Sequence, residues 1–148
     1  MEELLDKLDR EGFKPATLSK RIIAMSIDDF LVSLIVVLAF WSQFSVVRSV
    51  EDEIVLINKL FLYIFIVYTL YHWIFIALYG KTVGKMAVKI RAIDIQTFDN
   101  PSHLRAFVRS LFRNFDEIIF YLGMIYAVVD PLNRALHDII GKTVVVED

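Results

Sequence analysis

Residues 22–47 read IIAMSIDDFLVSLIVVLAFWSQFSVV, and this stretch decides the class of fold. Its last 18 residues, 30–47, contain no charged side chain, and the apolar pattern before them is interrupted only by Asp28 and Asp29. A helix of this length can cross a hydrocarbon core about 30 Å thick. We therefore predict a first membrane-spanning helix over residues 22–47.

A second run without charge covers residues 60–80 and predicts another span over residues 60–79. The composition of the whole chain agrees, because 57% of its 148 residues are hydrophobic and its mean hydropathy is +0.56, both high for a soluble domain. A net charge of −2 gives no sign of a nucleic-acid binder, and the absence of cysteine excludes disulfides and thiol catalysis. We expect an integral membrane protein.

The distribution of basic residues predicts the orientation of the spans. Of 16 Lys and Arg residues, five precede the first span, two lie between the spans and seven lie between residues 80 and 117. Because cytoplasmic loops carry an excess of Lys and Arg, we expect a cell (inner) membrane protein with a cytoplasmic N-terminus. Residues 1–21 mix acids with bases and are predicted to be a retained interfacial segment with a short helix ending near Gly12.

The segment over residues 104–129 has an amphipathic pattern. Its apolar residues recur at spacings of three and four, while Arg105, Arg109 and Arg113 follow one another at four on another face. We expect these arginines to lie among anionic lipid head groups at the cytoplasmic interface. The charge-free part, residues 118–129, has 12 residues and is too short to cross alone. We predict a re-entrant or tilted segment, with a third full span as the alternative.

Two segments rich in β-branched residues, 87–95 and 143–146, are predicted to pair as a small cytoplasmic sheet, which places the C-terminus in the cytoplasm. Asp130 as N-cap and Pro131 predict a short helix over residues 131–140. The predicted fold is a mainly α membrane protein with one membrane domain over residues 22–148. Its parts are the spans at 22–47 and 60–79, a basic strand and turn at 80–103, an amphipathic to re-entrant helix at 104–129, and a C-terminal short helix and strand at 131–147.

A charged pair of positions marks the first predicted span. Arg21 and Asp28 share one helical face, and Asp28 lies about 10 Å along the helix from Arg21. A carboxylate in the apolar layer costs roughly 2.5–3.5 kcal/mol on insertion scales, so it needs a polar partner. Candidate partners on the predicted C-terminal helix are Arg134, His137 and Asp138. We predict the crossed pairs Asp28–Arg134 and Arg21–Asp138, which form either a structural clamp or an ion or proton site.

The sequence GKTVGK at residues 80–85 is only superficially like a phosphate-binding loop. That loop needs four residues between its glycines and a Ser or Thr after the lysine, whereas here three intervene and Met86 follows. We interpret it as a turn leaving the membrane, with Lys81 and Lys85 at anionic head groups. The three histidines lack metal-ligand spacing and no Ser, His and acid arrangement is evident, so we predict no metal, no cofactor and no enzyme.

Four motifs in a fixed order resemble the RDD family of integral membrane proteins over residues 20–146. The motifs are RIIAMSIDD at 21–29, YGKTVGKMAVKIRAID at 79–94, RAFVR at 105–109 and DPLNRALHDIIGKTVVV at 130–146. The one arginine and two aspartates for which the family is named resemble Arg21, Asp28 and Asp138, with Asp130 as the other possibility for the last. The chain departs from the family at Asp29, a second acid beside Asp28, and at Asn133, where basic residues are usual.

The resemblance implies a small multi-pass membrane domain, for which transport is the usual suggestion and cation/proton antiport is reported for some members. One hypothesis is a transporter or transporter subunit that moves protons or small cations at Asp28, supported by Arg21 and relayed through His137 and Asp138. Because two spans cannot enclose a pathway, this hypothesis requires a homo-oligomer or a membrane partner protein. The alternative is a non-transporting membrane scaffold that recruits a partner protein or anionic lipid.

Overall fold

The computed structural model describes residues 2–118 and 122–148, which are mainly helical. The elements in chain order are α1 (Glu2–Arg10), α2 (Leu18–Ala39), α3 (Trp41–Phe44), α4 (Val50–Tyr79), α5 (Val83–Ala87), β1 (Ile90–Asp94), α6 (His103–Ile118), α7 (Leu122–Val129), α8 (Leu136–Ile140) and β2 (Thr143–Glu147). Two long apolar helices and a small antiparallel sheet confirm the predicted mainly helical class.

Helices α2 and α4 are long and apolar enough to cross a membrane. Helix α2 is shorter than predicted because the helix stops at Ala39 and residues 41–44 form a separate turn of helix. Helix α4 begins ten residues before the predicted start, and its added turns include three acids that complement the positive end of the helix dipole. The Ser49 side chain accepts the Asp52 N–H at 3.1 Å, which satisfies one free donor of the first turn.

Strands β1 and β2 pair antiparallel, with Ala92 opposite Val145, which confirms the predicted pairing. The first strand is shorter than predicted because residues 87–89 complete α5 and a turn in which Lys89 has φ +55°. The sheet is buried on both faces and packs against α1 through Leu8. Helix α1 ends before Gly12, which has φ +77°, as predicted.

The predicted helix over residues 104–129 corresponds to α6 and α7, and the join between them at residues 119–121 lies outside the described residues. The predicted helix over residues 131–140 is wrong in its first half, because α8 begins only at Leu136. The Asp130 carboxylate accepts the N–H groups of Leu132 and Arg134 at 3.1 and 3.0 Å. These bonds hold a turn in which Asn133 has φ +52°. Because the Asp130 side chain takes up these backbone N–H groups, residues 131–135 form the turn instead of a helix.

The two long helices expose apolar side chains that a soluble domain would bury. Large apolar side chains on α2 and α4 are exposed, for example Phe30 at 69% and Leu62 at 64%. Charged side chains from α2, α6 and α8 are buried where these helices meet. An apolar surface around a polar interior suits a lipid environment, in which the inward-facing charges find partners within the protein.

Candidate functional site

Asp28 lies in the middle of α2 and is completely buried. Its Oδ1 atom accepts the Tyr71 hydroxyl at 2.7 Å and the Gly84 backbone N–H at 2.8 Å. Its Oδ2 atom accepts the Thr82 hydroxyl at 2.5 Å. Three donors on one carboxylate hold it in a single orientation. We name Asp28 with these three donors the Asp28 cradle.

The Asp28 cradle depends on a close approach between α5 and α2. Thr82 caps α5, and its hydroxyl accepts the Lys85 N–H at 3.4 Å. A Cβ at Gly84 would lie only 2.0 Å from the Ala24 carbonyl oxygen of α2. Only glycine therefore permits this contact, which is the physical role of the second glycine of GKTVGK.

The predicted pair of Asp28 with Arg134 is wrong. Arg134 instead binds the Asp130 carboxylate, with Nε to Oδ2 at 3.0 Å and Nη2 to Oδ1 at 2.9 Å. The two residues are four apart and are joined by the turn before α8, so this pair forms locally. Asp130 is thus a structural residue of that turn, and Arg134 supports it.

The predicted pair of Arg21 with Asp138 is confirmed, and a second arginine joins it. Asp138 is completely buried, accepts a hydrogen bond from Arg21 Nη2 and lies 2.8 Å from Arg109 Nη2. The Ala135 N–H also donates to Asp138, at 2.9 Å. Burial alone would raise the pKa of Asp138, but the charges of Arg109 and Arg21 hold that pKa well below its usual range. We name these three charged side chains the Asp138 triad.

The prediction that Arg109 and Arg113 reach lipid head groups is wrong. Their exposed fractions are 3% and 5%, and both point into the protein. Arg109 donates to the Thr143 hydroxyl at 2.7 Å, and Arg113 contacts His72 Nε2 at 2.6 Å. Arg113 also forms an ion pair with Asp29 at 2.9 Å. The arginine face of α6 is therefore a buried polar stripe, and it connects α6 to α2, α4 and β2.

His137 lies on α8 beside the Asp138 triad. Its Nδ1 atom is 2.6 Å from Asp116 Oδ2 on α6, and its Nε2 atom is 3.5 Å from Asp138 Oδ1. Burial lowers the pKa of His137, and this outweighs the opposite effects of Asp138 and Asp116. We therefore expect a neutral imidazole at pH 7, with its proton on Nδ1 because a carboxylate can only accept.

A small cavity of about 20 Å³ lies where α2, α5, α6 and α8 meet, with room for about one water molecule. Its lining residues are Arg21, Met25, Lys85, Arg109, Arg113 and His137. Lys85 is partly exposed as well as lining this space, so its contact with head groups stays a prediction. Removal from water lowers the pKa of Lys85 to about 7, despite the nearby Asp28 charge. We name this space the basic cavity.

Two of the predicted head-group residues lie at the protein surface. Lys81 forms an ion pair with Asp148, and Arg105 binds Asp94 and the Gln96 side chain. Lipid contact by Lys81 and Arg105 stays a prediction. Among residues 2–118 and 122–148, no group of three or more His, Cys, Asp or Glu side chains is placed to hold a metal ion.

The model of the RDD family matches residues 15–142 of the chain. The chain belongs to the RDD family. This match covers most of the sequence and includes every residue of the Asp28 cradle and the Asp138 triad. No curated protein and no solved structure is significantly similar to the chain.

Within this RDD protein, the candidate site joins the Asp28 cradle, the basic cavity and the Asp138 triad. The structure brings together Arg21, His137 and Asp138 of the predicted cluster, places Asp28 near Lys85, and pairs Asp130 with Arg134 instead. Sequence reasoning missed several members of the site, which are Asp29, Tyr71, Thr82, Gly84 and Asp116. The Thr and Gly lay in a quoted motif, but no local pattern marks them as partners of Asp28.

Proposed function

We propose that this RDD protein is a transport subunit of the cell (inner) membrane that moves protons through the basic cavity, with both termini in the cytoplasm. The observation that supports this proposal is Lys85, a titratable amine that lines a water-sized cavity among buried ions. Its pKa of about 7 lies near physiological pH, where an amine takes up and releases a proton with little cost. Asp28 then serves as the fixed negative charge beside this amine.

Two observations favour the proton over a metal cation. Both oxygens of Asp28 already accept hydrogen bonds, so a cation would have to compete with three donors for this carboxylate. The cavity lining carries four basic side chains, which repel cations. A proton needs no coordination shell and binds to the Lys85 amine itself, although the surrounding arginines lower the pKa of that amine.

The proposed pathway requires further protein around the two long helices. Most of the apolar window of α4 is exposed, with 11% of it buried. Two spans cannot surround a hydrated path through a bilayer. We therefore include a homo-oligomer or a membrane partner protein in the proposal, and place anionic lipid head groups near Lys81 and Arg105 at the cytoplasmic end.

Proton movement through Lys85 is tested with the purified chain in vesicles that carry a pH gradient and an internal pH-sensitive dye. Wild-type vesicles should dissipate the gradient faster than empty vesicles, and Lys85→Met should slow the protein-dependent rate by on the order of tenfold or more. Lys81→Met, which removes a surface amine paired with Asp148, should match the wild type. Equal rates for wild-type and empty vesicles would remove the proposal.

A membrane scaffold is the second candidate, and the Asp138 triad favours it. One buried carboxylate joins α2, α6 and α8 through two arginines, as in a purely structural clamp. Such a scaffold would recruit a partner protein or anionic lipid without proton flux. The vesicle experiment separates the two candidates, because a scaffold leaves the gradient intact even when correctly folded.

The proposed orientation is tested with reporters fused after Asp148. The paired strands and the positive-inside distribution both support a cytoplasmic C-terminus. A cytoplasm-dependent reporter should therefore be active, and a reporter that works only outside the cytoplasm should be silent. The opposite pattern would mean that an odd number of segments crosses the membrane, and residues 118–129 would then be a third span.

A further inference from the structure

The lining of the basic cavity has an unusual charge composition for a buried space. Arg21, Lys85, Arg109 and Arg113 contribute positive charge, and no carboxylate is among the lining residues that the structure describes. The nearby acids do not line the space: Asp28 is held by its cradle, Asp138 pairs with both Arg21 and Arg109, and Asp29 pairs with Arg113. Four basic side chains therefore line the space, while the acids paired with them there are two, Asp138 and Asp29.

The contacts of Lys85 also indicate that the basic cavity can accept an anion. Lys85 is partly buried and lines the cavity, and among the contacts of the described residues none joins its ammonium nitrogen to a hydrogen-bond acceptor or a carboxylate. A lysine carries three donors, and an ammonium removed from water normally acquires an acceptor or an anion. The surrounding arginines offer neither, because guanidinium groups only donate.

The arginines of the triad also retain donors. Arg21 directs Nη1 to the Asn133 carbonyl oxygen and Nη2 to Asp138, while Arg109 directs Nη1 to Thr143 and Nη2 to Asp138. A guanidinium has five N–H groups, so each of these side chains has further donors to offer. Donors on several sides of a small space are what a bound anion requires.

We propose that the basic cavity binds one small monovalent anion of the halide type, held by the Lys85 ammonium and the guanidinium groups of Arg21 and Arg109. The volume of about 20 Å³ sets the size, because it holds about one water molecule. Phosphate, sulfate and carboxylate metabolites are each larger than one water molecule. The ligand is therefore monoatomic, and chloride is the probe.

Anion binding depends on pH through Lys85. The charged and titratable groups around the cavity are Arg21, Asp28, Asp29, His72, Lys85, Arg109, Arg113, Asp116, His137 and Asp138. The arginines keep their charge at every pH of interest, while the pKa of Lys85 is about 7. Protonated Lys85 binds the anion, so apparent affinity falls as pH rises through 7. Between pH 6 and pH 8 it should weaken about tenfold, following the protonated fraction.

The anion site rests on the proposed function in one respect, because the bound anion would be the counter-ion of the proton that Lys85 carries. The two ideas nevertheless fail separately. A chain that binds chloride without moving protons retains the anion site and loses the transport proposal. A chain that moves protons without binding chloride retains transport and loses the anion site.

Chloride binding is measured on the purified full chain in uncharged detergent, with sodium chloride replacing sodium gluconate at constant ionic strength. Wild-type protein should broaden the chloride-35 NMR line and melt at a temperature that rises with chloride. Both effects should be stronger at pH 6 than at pH 8. Gluconate is the reference because it is too large for the cavity.

Three variants make this measurement decisive. Lys85→Met should abolish the chloride effects, whereas Lys81→Met should keep them because Lys81 lies outside the cavity. Lys85→Arg should still bind chloride but lose the change between pH 6 and pH 8, since arginine does not titrate there. Absence of a chloride-specific effect in the wild type, wild-type binding by Lys85→Met, or an unchanged pH dependence in Lys85→Arg would each overturn the proposal.

Discussion

Replacing Gly84 by alanine is expected to lower the free energy of unfolding by roughly 3 kcal/mol or more. The added Cβ would lie 2.0 Å from the Ala24 carbonyl oxygen and 2.9 Å from Asp28 Cγ, so α5 must move away from α2. Overpacking alone costs about 1–3 kcal/mol, and the lost N–H bond to the Asp28 carboxylate adds about 1.5–3 kcal/mol. Helical circular dichroism during thermal melting in detergent measures the loss.

Two further variants separate this steric effect from general effects of alanine. Gly12→Ala should cost only about 1–2 kcal/mol, because its Cβ would meet nothing within 4 Å and only the left-handed backbone, with φ +77°, is strained. Adding Ala24→Gly to Gly84→Ala should not restore stability, since the collision is with the Ala24 backbone rather than its side chain. A Gly84→Ala protein that melts with the wild type would contradict the close contact of α2 and α5.

Local patterns in the sequence predicted most elements of the fold. Hydropathy over 18 or more residues locates α2 and α4, because burial in lipid needs a continuous apolar surface. Alternation and β-branched residues locate the paired strands. The boundaries were less accurate: the acidic first turns of α4 lie outside any apolar run, and the bonds of Asp130 replace the first half of the predicted α8.

The partners of the buried charges were harder to predict, because they depend on how the helices pack. Asp28 was expected to meet Arg134, yet its donors come from α4, the α4–α5 turn and α5. Hydroxyl and backbone donors carry no charge, so charge complementarity in the sequence does not reveal them. The pair of Asp130 with Arg134 did have a local signal, since residues four apart are neighbours on a helix or tight turn.

The arginine stripe of α6 shows a second limit of sequence patterns. A helical face bearing Arg109 and Arg113 has the same periodicity whether it meets lipid head groups, water or buried acids. The acids that decide the question, Asp138 and Asp29, are distant in sequence and come close only through packing. Periodicity therefore predicted the helix correctly and assigned its polar face to the wrong environment.

The largest loss among the charge variants is expected for Asp138→Asn, at roughly 3–5 kcal/mol. Removing this carboxylate leaves two buried guanidinium groups, Arg21 and Arg109, without their shared anion. Arg21→Met should cost less, because Asp138 keeps Arg109. In the double variant Arg21→Met with Asp138→Asn, the loss should fall below the sum of the singles by about 1–3 kcal/mol.

The same carboxylate predicts how stability depends on pH. The pKa of Asp138 in the folded chain is far below its value of about 3.9 in an unfolded chain. Its contribution is therefore complete above about pH 5 and is lost as pH falls through 4 toward the folded pKa. Asp138→Asn should be less stable than the wild type at pH 7, and the difference should shrink in acid.

A surface pair provides the matched control for these measurements. Lys7 and Glu3 also form an ion pair at 2.7 Å, but their side chains are 54% and 82% exposed. Lys7→Met should leave stability nearly unchanged, because water and salt replace an exposed partner. If Asp138→Asn costs no more than Lys7→Met, or if its loss adds strictly to that of Arg21→Met, the Asp138 triad does not hold α2, α6 and α8 together. The opposite result has two parts: the double variant loses less stability than the two single variants together, and the difference between Asp138→Asn and the wild type shrinks in acid. Both results together would mean that Arg21 and Asp138 interact as one buried unit.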